Sequence, residues 1–225
     1  MLRKTFDDEL QRLQDEVLIL GSMVEQALNE SVDILRRRDN DAARALFNAD
    51  KFINEKRFEI EQDVLTLIAT QQPVAGDVRT LAAILEIITD LERMGDYAKG
   101  IAKINLMMDG PLLKPLIDIP IMAVKASDML NRSLEAFVQR DVEAARAIPE
   151  EDDEVDGLYN QVYRELLTYI MNDPSTLDQS TYLLWVAHNL ERTADRVTNI
   201  CERVVFTVTG EMIELDADVD YAAIG

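Results

Sequence analysis

Two segments of this 225-residue chain carry the pattern L-E-R-x-x-D. In both segments a glutamate stands four residues before an aspartate, Glu92 before Asp96 and Glu191 before Asp195. Residues four apart lie on the same face of an α-helix, so each pair would present two carboxylates side by side. Two like charges at this spacing destabilise a helix by about 0.2–0.5 kcal/mol, and a bound cation would offset that cost.

A second internal match supplies further oxygen-bearing side chains. The segment R-D-N-D-A-A-R-A-L, which starts at residue 38, is similar to R-D-V-E-A-A-R-A-I, which starts at residue 140. At this offset of 102, Asp50 and Asn54 correspond to Asp152 and Asp156, and each half has its two residues four apart. Oxygen ligands of this kind suit Mg²⁺, Ca²⁺, Mn²⁺ or iron, and bridging carboxylates allow more than one ion per site.

The same acids have a simpler interpretation as solvated charge. Arg93 and Arg192 directly follow the glutamates of the two motifs, and acids at helical spacing commonly form exposed ion pairs. Asp152 also belongs to the run E-E-D-D-E, which is typical of an exposed helix N-terminus. His188, the one histidine of the chain, precedes the second motif and is either a further ligand or a structural residue.

The sequence offers little material for catalysis. A di-iron carboxylate enzyme of the helical-bundle type needs two E-x-x-H pairs, which a single histidine cannot supply. No G-x-x-x-x-G-K, G-x-S-x-G or C-x-x-C motif is present. We therefore expect that the protein is not an enzyme. The alternative is a metal-storage or metal-dependent hydrolytic enzyme using the same acids, which would need an open coordination position beside a general base.

The overall charge limits the possible partners. Net charge is −20 and the pI is about 4.3, which argues against nucleic acid because phosphates attract clustered Lys and Arg. The acidity favours metal cations or basic protein surfaces. The single cysteine excludes an internal disulfide and fits a cytoplasmic location. No run approaches the roughly 18 consecutive apolar residues of a transmembrane helix, so we expect no membrane insertion.

Long helices must position these residues. Apolar residues recur every three or four positions, which predicts amphipathic helices, and the segments D-N-D, Q-Q-P, D-G-P-L-L-K-P and N-D-P separate them. The expected helices are 6–38, 40–69, 76–108, 118–139, 142–171 and 176–209.

The internal repeat predicts an all-α fold, a tandem repeat of two three-helix bundles with six long antiparallel helices. The expected units are 1–110 for the first bundle, 111–210 for the second, and 211–225 for an acidic, loose C-terminal tail. Second and third helices would be antiparallel neighbours in each bundle. That arrangement would bring the two acid-bearing pairs of each half face to face.

Three segments resemble the PhoU family of bacterial phosphate-transport accessory proteins. They are Q-Q-P-V-A-G-D-V-R from residue 71, D-L-E-R-M-G-D from residue 90 and N-L-E-R-T-A-D from residue 189. The resemblance extends over roughly residues 1–210. It implies two tandem three-helix bundles and a homodimer.

The resemblance also implies multinuclear metal clusters on the E/D-x-x-x-D motifs. The ions would be divalent or trivalent (iron, zinc, manganese, magnesium or calcium). The implied metal ligands are Glu92, Asp96, Glu191, Asp195, Asp50, Asn54, Asp152 and Asp156. Because Asn54 stands where the other half has Asp156, the first cluster would be one charge poorer.

The function implied by the resemblance is regulatory. Such a protein restrains phosphate uptake and represses the phosphate-starvation response, as an adaptor between the ATPase subunit of the phosphate ABC transporter and a sensor histidine kinase of a two-component system. It would be cytoplasmic, and peripheral at the inner membrane through these partners.

Overall fold

The computed structural model describes residues 2–215, and this range is almost entirely helical, without a β-strand. Seven α-helices follow one another: α1 (Leu2–Arg37), α2 (Asn40–Gln71), α3 (Ala75–Met107), α4 (Asp118–Gln139), α5 (Val142–Ala147), α6 (Asp152–Asn172) and α7 (Leu177–Thr209). Six of them are long, with 21 to 36 residues. The predicted all-α fold with six long helices is confirmed.

The first half forms a three-helix bundle in which α1, α2 and α3 all contact one another. The apolar seam of α1 faces the core of this bundle. Leu13, Val17, Leu20 and Val24 are each at most 1% exposed. Burial of this regular stripe is the main force that holds α1 against its neighbours.

The second half is built from α4, α6 and α7, and here one predicted helix is wrong. The chain between residues 142 and 171 is not continuous, because α5 ends at Ala147 and a 3₁₀ turn covers Ile148–Glu151 before α6 begins. Pro149 lies in this turn and has no N–H to donate, so the α-helical hydrogen bonds cannot run through it. The break places Asp152 in the first turn of α6.

The two halves share one hydrophobic core, since α3 packs along α7 and α1 packs against α4. Glycines allow close approach at both crossings. A Cβ added to Gly21 of α1 would lie 2.1 Å from Cδ1 of Leu134 on α4. A Cβ added to Gly100 of α3 would lie 3.2 Å from Nδ2 of Asn189 on α7.

The repeated R-D segment forms the same corner in both halves. Arg38 and Arg140 have positive φ angles of 57° and 58° just before α2 and α5. The Arg38 guanidinium donates to the carbonyl of Asn105 in the last turn of α3 and to that of Gly110 in the linker after it. The Arg140 guanidinium donates to the carbonyl of Thr207 in α7. Because the last carbonyls of a helix lack partners within the helix, each arginine caps the third helix of its own half.

The beginning of the expected C-terminal tail is attached to the bundle rather than loose. Ile213 and Leu215 are partly buried against the core, and the Leu215 N–H donates to Oε1 of Glu202 at 3.0 Å. The remaining tail, 216–225, lies outside the described residues.

Candidate functional site

The four candidate ligands of the first half lie on two neighbouring helices. Asp50 and Asn54 are on α2, and Glu92 and Asp96 are on α3, which packs against α2. Burial raises the pKa of Glu92, and the negative charges of Asp96 and Asp50 raise it further. The four residues therefore share one electrostatic environment, and we call them the first cluster.

Asp50 is the most buried member of the first cluster, with 6% of its surface exposed. Its Oδ2 accepts a hydrogen bond from Nζ of Lys99 at 2.6 Å and another from Nδ2 of Asn54 at 3.0 Å. Its Oδ1 is buried and has no hydrogen-bond partner. Asp50 and Lys99 also line a cavity of about 180 Å³ between α1, α2 and α3.

Lys99 interacts electrostatically with the three carboxylates of the first cluster. Its pKa is raised, chiefly by the hydrogen bond to Asp50, and the charges of Asp96 and Glu92 add to the effect. On the solvent side, Arg93 lies 3.7 Å from Glu92 and 3.5 Å from Asp96. These long contacts of an exposed guanidinium are worth little compared with the Lys99 pair.

The second half repeats the arrangement on α6 and α7. Asp152 and Asp156 are on α6, and Glu191 and Asp195 are on α7, which packs against α6. Burial raises the pKa of Glu191, and the charges of Asp195 and Asp156 raise it further. Oδ1 of Asp152 is buried as well. We call these four residues the second cluster.

His188 contacts the second cluster. Its Nδ1 lies 3.0 Å from Oε2 of Glu191, and its ring centroid lies 6.1 Å from that of Tyr159 on α6. Burial raises the pKa of Tyr159, and the charge of Glu191 adds to this effect. An imidazole nitrogen therefore stands at the edge of the second group of carboxylates. The corresponding position of the first half holds Thr89.

The donor types fit a hard or borderline cation, with three carboxylates and an amide in the first cluster and four carboxylates in the second. The raised pKa of Glu92 and Glu191 reflects buried negative charge that a cation would stabilise. Within residues 2–215, however, no three His, Cys, Asp or Glu side chains are grouped closely enough to hold an ion. Metal binding would therefore require side-chain rotations on an existing helical framework.

One residue of this site was missed in the sequence. Lys99 lies seven residues after Glu92 and three after Asp96, so helical spacing places it on the same face of α3. A search for acids alone does not find it.

Arg192 contacts the first half of the chain. Its guanidinium lies over the ring of Tyr97 on α3, with 5.8 Å between the guanidinium carbon and the ring centroid. Since Tyr97 follows Asp96 and Arg192 follows Glu191, this cation–π contact joins the neighbourhoods of the two clusters across the α3–α7 crossing.

The fold and the two clusters define a class of tandem-bundle proteins with duplicated carboxylate motifs. The sequence model of the PhoU domain matches the chain twice, over residues 17–104 and 119–204. The chain therefore belongs to the PhoU family. None of the helices in the described range is long and apolar enough to cross a membrane.

Known relatives are similar over nearly their full length. A phosphate-specific transport system accessory protein PhoU homolog from Clostridium acetobutylicum is 37% identical, covering 96% of this chain and all of that protein. The phosphate-specific transport system accessory protein PhoU of Escherichia coli K12 is 33% identical, covering 92% of this chain and 86% of that protein.

Two solved structures have the same fold. The phosphate transport system regulatory protein PhoU from Streptococcus pneumoniae aligns with a TM-score of 0.86 and 32% identity, covering 92% of this chain and 99% of that one. PhoU from Pseudomonas aeruginosa aligns with a TM-score of 0.85 and 29% identity, covering 92% of this chain and all of that one.

Proposed function

We propose that the protein restrains phosphate uptake and represses the phosphate-starvation response. It acts as an adaptor between the ATPase subunit of a phosphate ABC transporter and a sensor histidine kinase. The observation that carries this proposal is the similarity, over 96% of the chain, to an accessory protein of the phosphate-specific transport system. The adaptor role requires binding alone and no bond chemistry.

Exposed apolar residues on the second helix of each half support a docking role. On α2, Phe58 and Leu65 are 58% and 53% exposed, and their spacing of seven residues places them on one face. On α6, Leu167 and Met171 are 39% and 83% exposed and lie four residues apart. An adaptor needs at least two surfaces, and an exposed apolar face on each bundle is consistent with that requirement.

The charge of the chain supports the same proposal. With a net charge of −20, the protein favours basic partner surfaces and disfavours nucleic acid. In this proposal the protein works as a homodimer in the cytoplasm and reaches the inner membrane only through its partners.

The two clusters are proposed to bind divalent or trivalent metal ions. A bound cation would neutralise the buried carboxylates and tie α2 to α3 in the first half and α6 to α7 in the second. Glu92, Asp96, Glu191 and Asp195 would contribute from the third helix of each half. The α2 and α6 residues of the two clusters would contribute from the second helix.

The regulatory role is tested in a bacterial strain that lacks its own PhoU protein. Uptake of radiolabelled phosphate and a starvation-induced reporter are measured with and without this chain, in phosphate-rich medium. We expect the chain to lower both uptake and reporter activity. Unchanged uptake and reporter activity, with the protein present at normal levels, would contradict the proposal.

The docking faces are tested in the same strain and by co-purification with the ATPase subunit and the kinase. Phe58→Ser with Leu65→Ser removes the α2 face, and Leu167→Ser with Met171→Ser removes the α6 face. Val124→Ser on α4 is the control, because Val124 is 64% exposed and lies on neither face. We expect each double variant to lose at least one partner while the control retains both. Retention of both partners by both double variants would exclude these faces.

A further inference from the structure

We propose that Lys99 is a built-in cation of the first cluster, so that its ammonium group takes the place of a metal ion and only the second cluster binds metal. This inference rests on the metal-binding role proposed above for the second cluster and replaces that role for the first cluster. It concerns a difference between the two halves of this chain.

The position of the ammonium group is the first observation. Nζ of Lys99 lies 2.6 Å from Oδ2 of Asp50, the most deeply buried oxygen ligand of the first cluster. The same oxygen accepts a hydrogen bond from the amide of Asn54. A metal ion at Oδ2 would therefore have to displace a charged donor and turn the amide around. Charge-assisted bonds of this kind are among the strong ones in proteins.

The side chain of Lys99 is also held from its other side. Its Nζ lies 5.3 Å from the centroid of the Phe47 ring on α2, within the range of a cation–π contact. Lys99 remains about one-third exposed at its side chain, with 32% accessible. The ammonium is therefore positioned by two residues of α2 and not by Asp50 alone.

The second half has different residues at two of the matching positions. Thr198 corresponds to Lys99 at the offset of 99 between the two L-E-R-x-x-D motifs, and Asp156 corresponds to Asn54. The first cluster together with Lys99 thus carries three carboxylates and one ammonium, whereas the matching residues of the second half are four carboxylates and a threonine.

This charge difference decides between the two sites. A divalent ion in the first cluster would lie close to the positive charge of Lys99. It would also meet three carboxylates instead of four. In the second cluster it would meet four carboxylates, with the imidazole of His188 at the edge. Metal affinity depends strongly on the number of charged ligands, so the second cluster should bind much more tightly.

The test measures Mn²⁺ binding to the purified full chain after removal of metals, using the electron paramagnetic resonance signal of free Mn²⁺. The background is Glu191→Gln with Asp195→Asn, which disables the second cluster. In this background Lys99 is retained, replaced by Thr as in the second half, or replaced by Arg as the charge-conserving control. Circular dichroism verifies the fold, and Lys99→Met is the alternative if the Thr variant does not fold.

We expect no Mn²⁺ binding in the background when Lys99 is retained or replaced by Arg. In the Lys99→Thr or Lys99→Met variant we expect a dissociation constant at least tenfold below the highest Mn²⁺ concentration tested. The gained binding should disappear when Asp96→Asn is added, and Mn²⁺ should raise the Tm of the variants with a neutral side chain only. Asp96-dependent binding with Lys99 in place would overturn the inference, as would failure of both neutral variants to bind.

The unmodified chain distinguishes this inference from the proposed metal role of the second cluster. If the unmodified chain binds no Mn²⁺ but the Lys99→Thr variant does, the second cluster fails as a metal site while the role of Lys99 is supported. If the unmodified chain binds Mn²⁺ and the Glu191→Gln, Asp195→Asn background does not, the metal role of the second cluster is supported. The role of Lys99 is supported as well when the variants at residue 99 behave as expected.

Discussion

Arg196 of α7 donates from Nη1 to Oδ1 of Asp90 on α3 at 2.9 Å, and this ion pair joins the two halves of the protein. Asp90 is only 8% exposed. Burial raises its pKa, and the hydrogen bond from Arg196 counteracts this effect. At the offset of 99, Asp90 corresponds to Asn189 and Arg196 corresponds to Tyr97. The internal repeat therefore does not reproduce this ion pair.

Arg196→Met should lower the free energy of unfolding by about 2 kcal/mol, because it leaves the buried carboxylate of Asp90 without its charged donor. Adding Asp90→Asn should recover part of the loss, since a buried amide costs less than a buried charge. Urea titrations give both values. Arg203→Met on the same helix is the control. Its nearer partner Glu86 is 55% exposed and its contact with Glu202 is longer, at 3.5 Å, so this substitution should cost less. Equal losses at Arg196 and Arg203 would contradict this account.

Gly21→Ala should destabilise the protein by about 1–3 kcal/mol through overpacking. The added Cβ would lie 2.1 Å from Cδ1 of Leu134, a side chain that is itself 2% exposed and has little room to move. Gly157→Ala in α6 is the matched control. Nothing lies within 4 Å of a Cβ at that position, so it should be stabilising by about 0.5–1 kcal/mol. Thermal unfolding of the two variants should shift Tm in opposite directions, and a shift in the same direction would argue against a tight α1–α4 crossing.

Arg38→Ala should cost about 2–3 kcal/mol and Arg140→Ala about 1 kcal/mol, because the first arginine donates several hydrogen bonds to the end of α3 and the second donates one to α7. The two residues have nearly equal φ angles, so the backbone cost of alanine is the same in both. Hydrogen exchange of the last turn of α3 should also accelerate in Arg38→Ala. A larger loss of stability in Arg140→Ala than in Arg38→Ala would show that these arginines do not act as helix caps.

The bidentate pair between Arg132 and Glu151 should make stability depend on pH. The Arg132 nitrogens lie 2.7 and 2.6 Å from the two oxygens of Glu151, and these hydrogen bonds lower the pKa of Glu151 below its ordinary 4.5. A lowered pKa in the folded state adds stability above pH 4.5, and this stability is lost as pH falls through the folded-state value.

Glu151→Gln should therefore be less stable than the unmodified protein at pH 7 and should approach it in stability as the pH falls through the folded-state pKa of Glu151. Urea midpoints measured from pH 7 down into this acidic range provide the test. In an Arg132→Met background, the same Glu151→Gln change should have an effect that varies much less with pH. A stability difference between the Glu151→Gln variant and the unmodified protein that does not shrink on acidification would contradict the assignment.

Much of the fold could be predicted from local patterns in the sequence. The spacing of apolar residues predicts the ends of most helices to within a few residues, because each amphipathic helix needs a continuous stripe to bury. The one break that was missed lies at Pro149, where the apolar pattern continues across the turn even though the hydrogen bonds do not. The repeated acids were also visible, since helical spacing alone places Glu92 beside Asp96 and Glu191 beside Asp195.

The sequence by itself determined most of the helices, the duplication, the family resemblance and the eight candidate ligands. Only the tertiary structure decided that Asp50 is buried against Lys99, and that α3 and α7 cross closely at Gly100 and Asn189. Burial and ion pairing depend on which helices meet and at what distance. Residues such as Lys99 and Asp50 lie 49 positions apart, and no local pattern relates them.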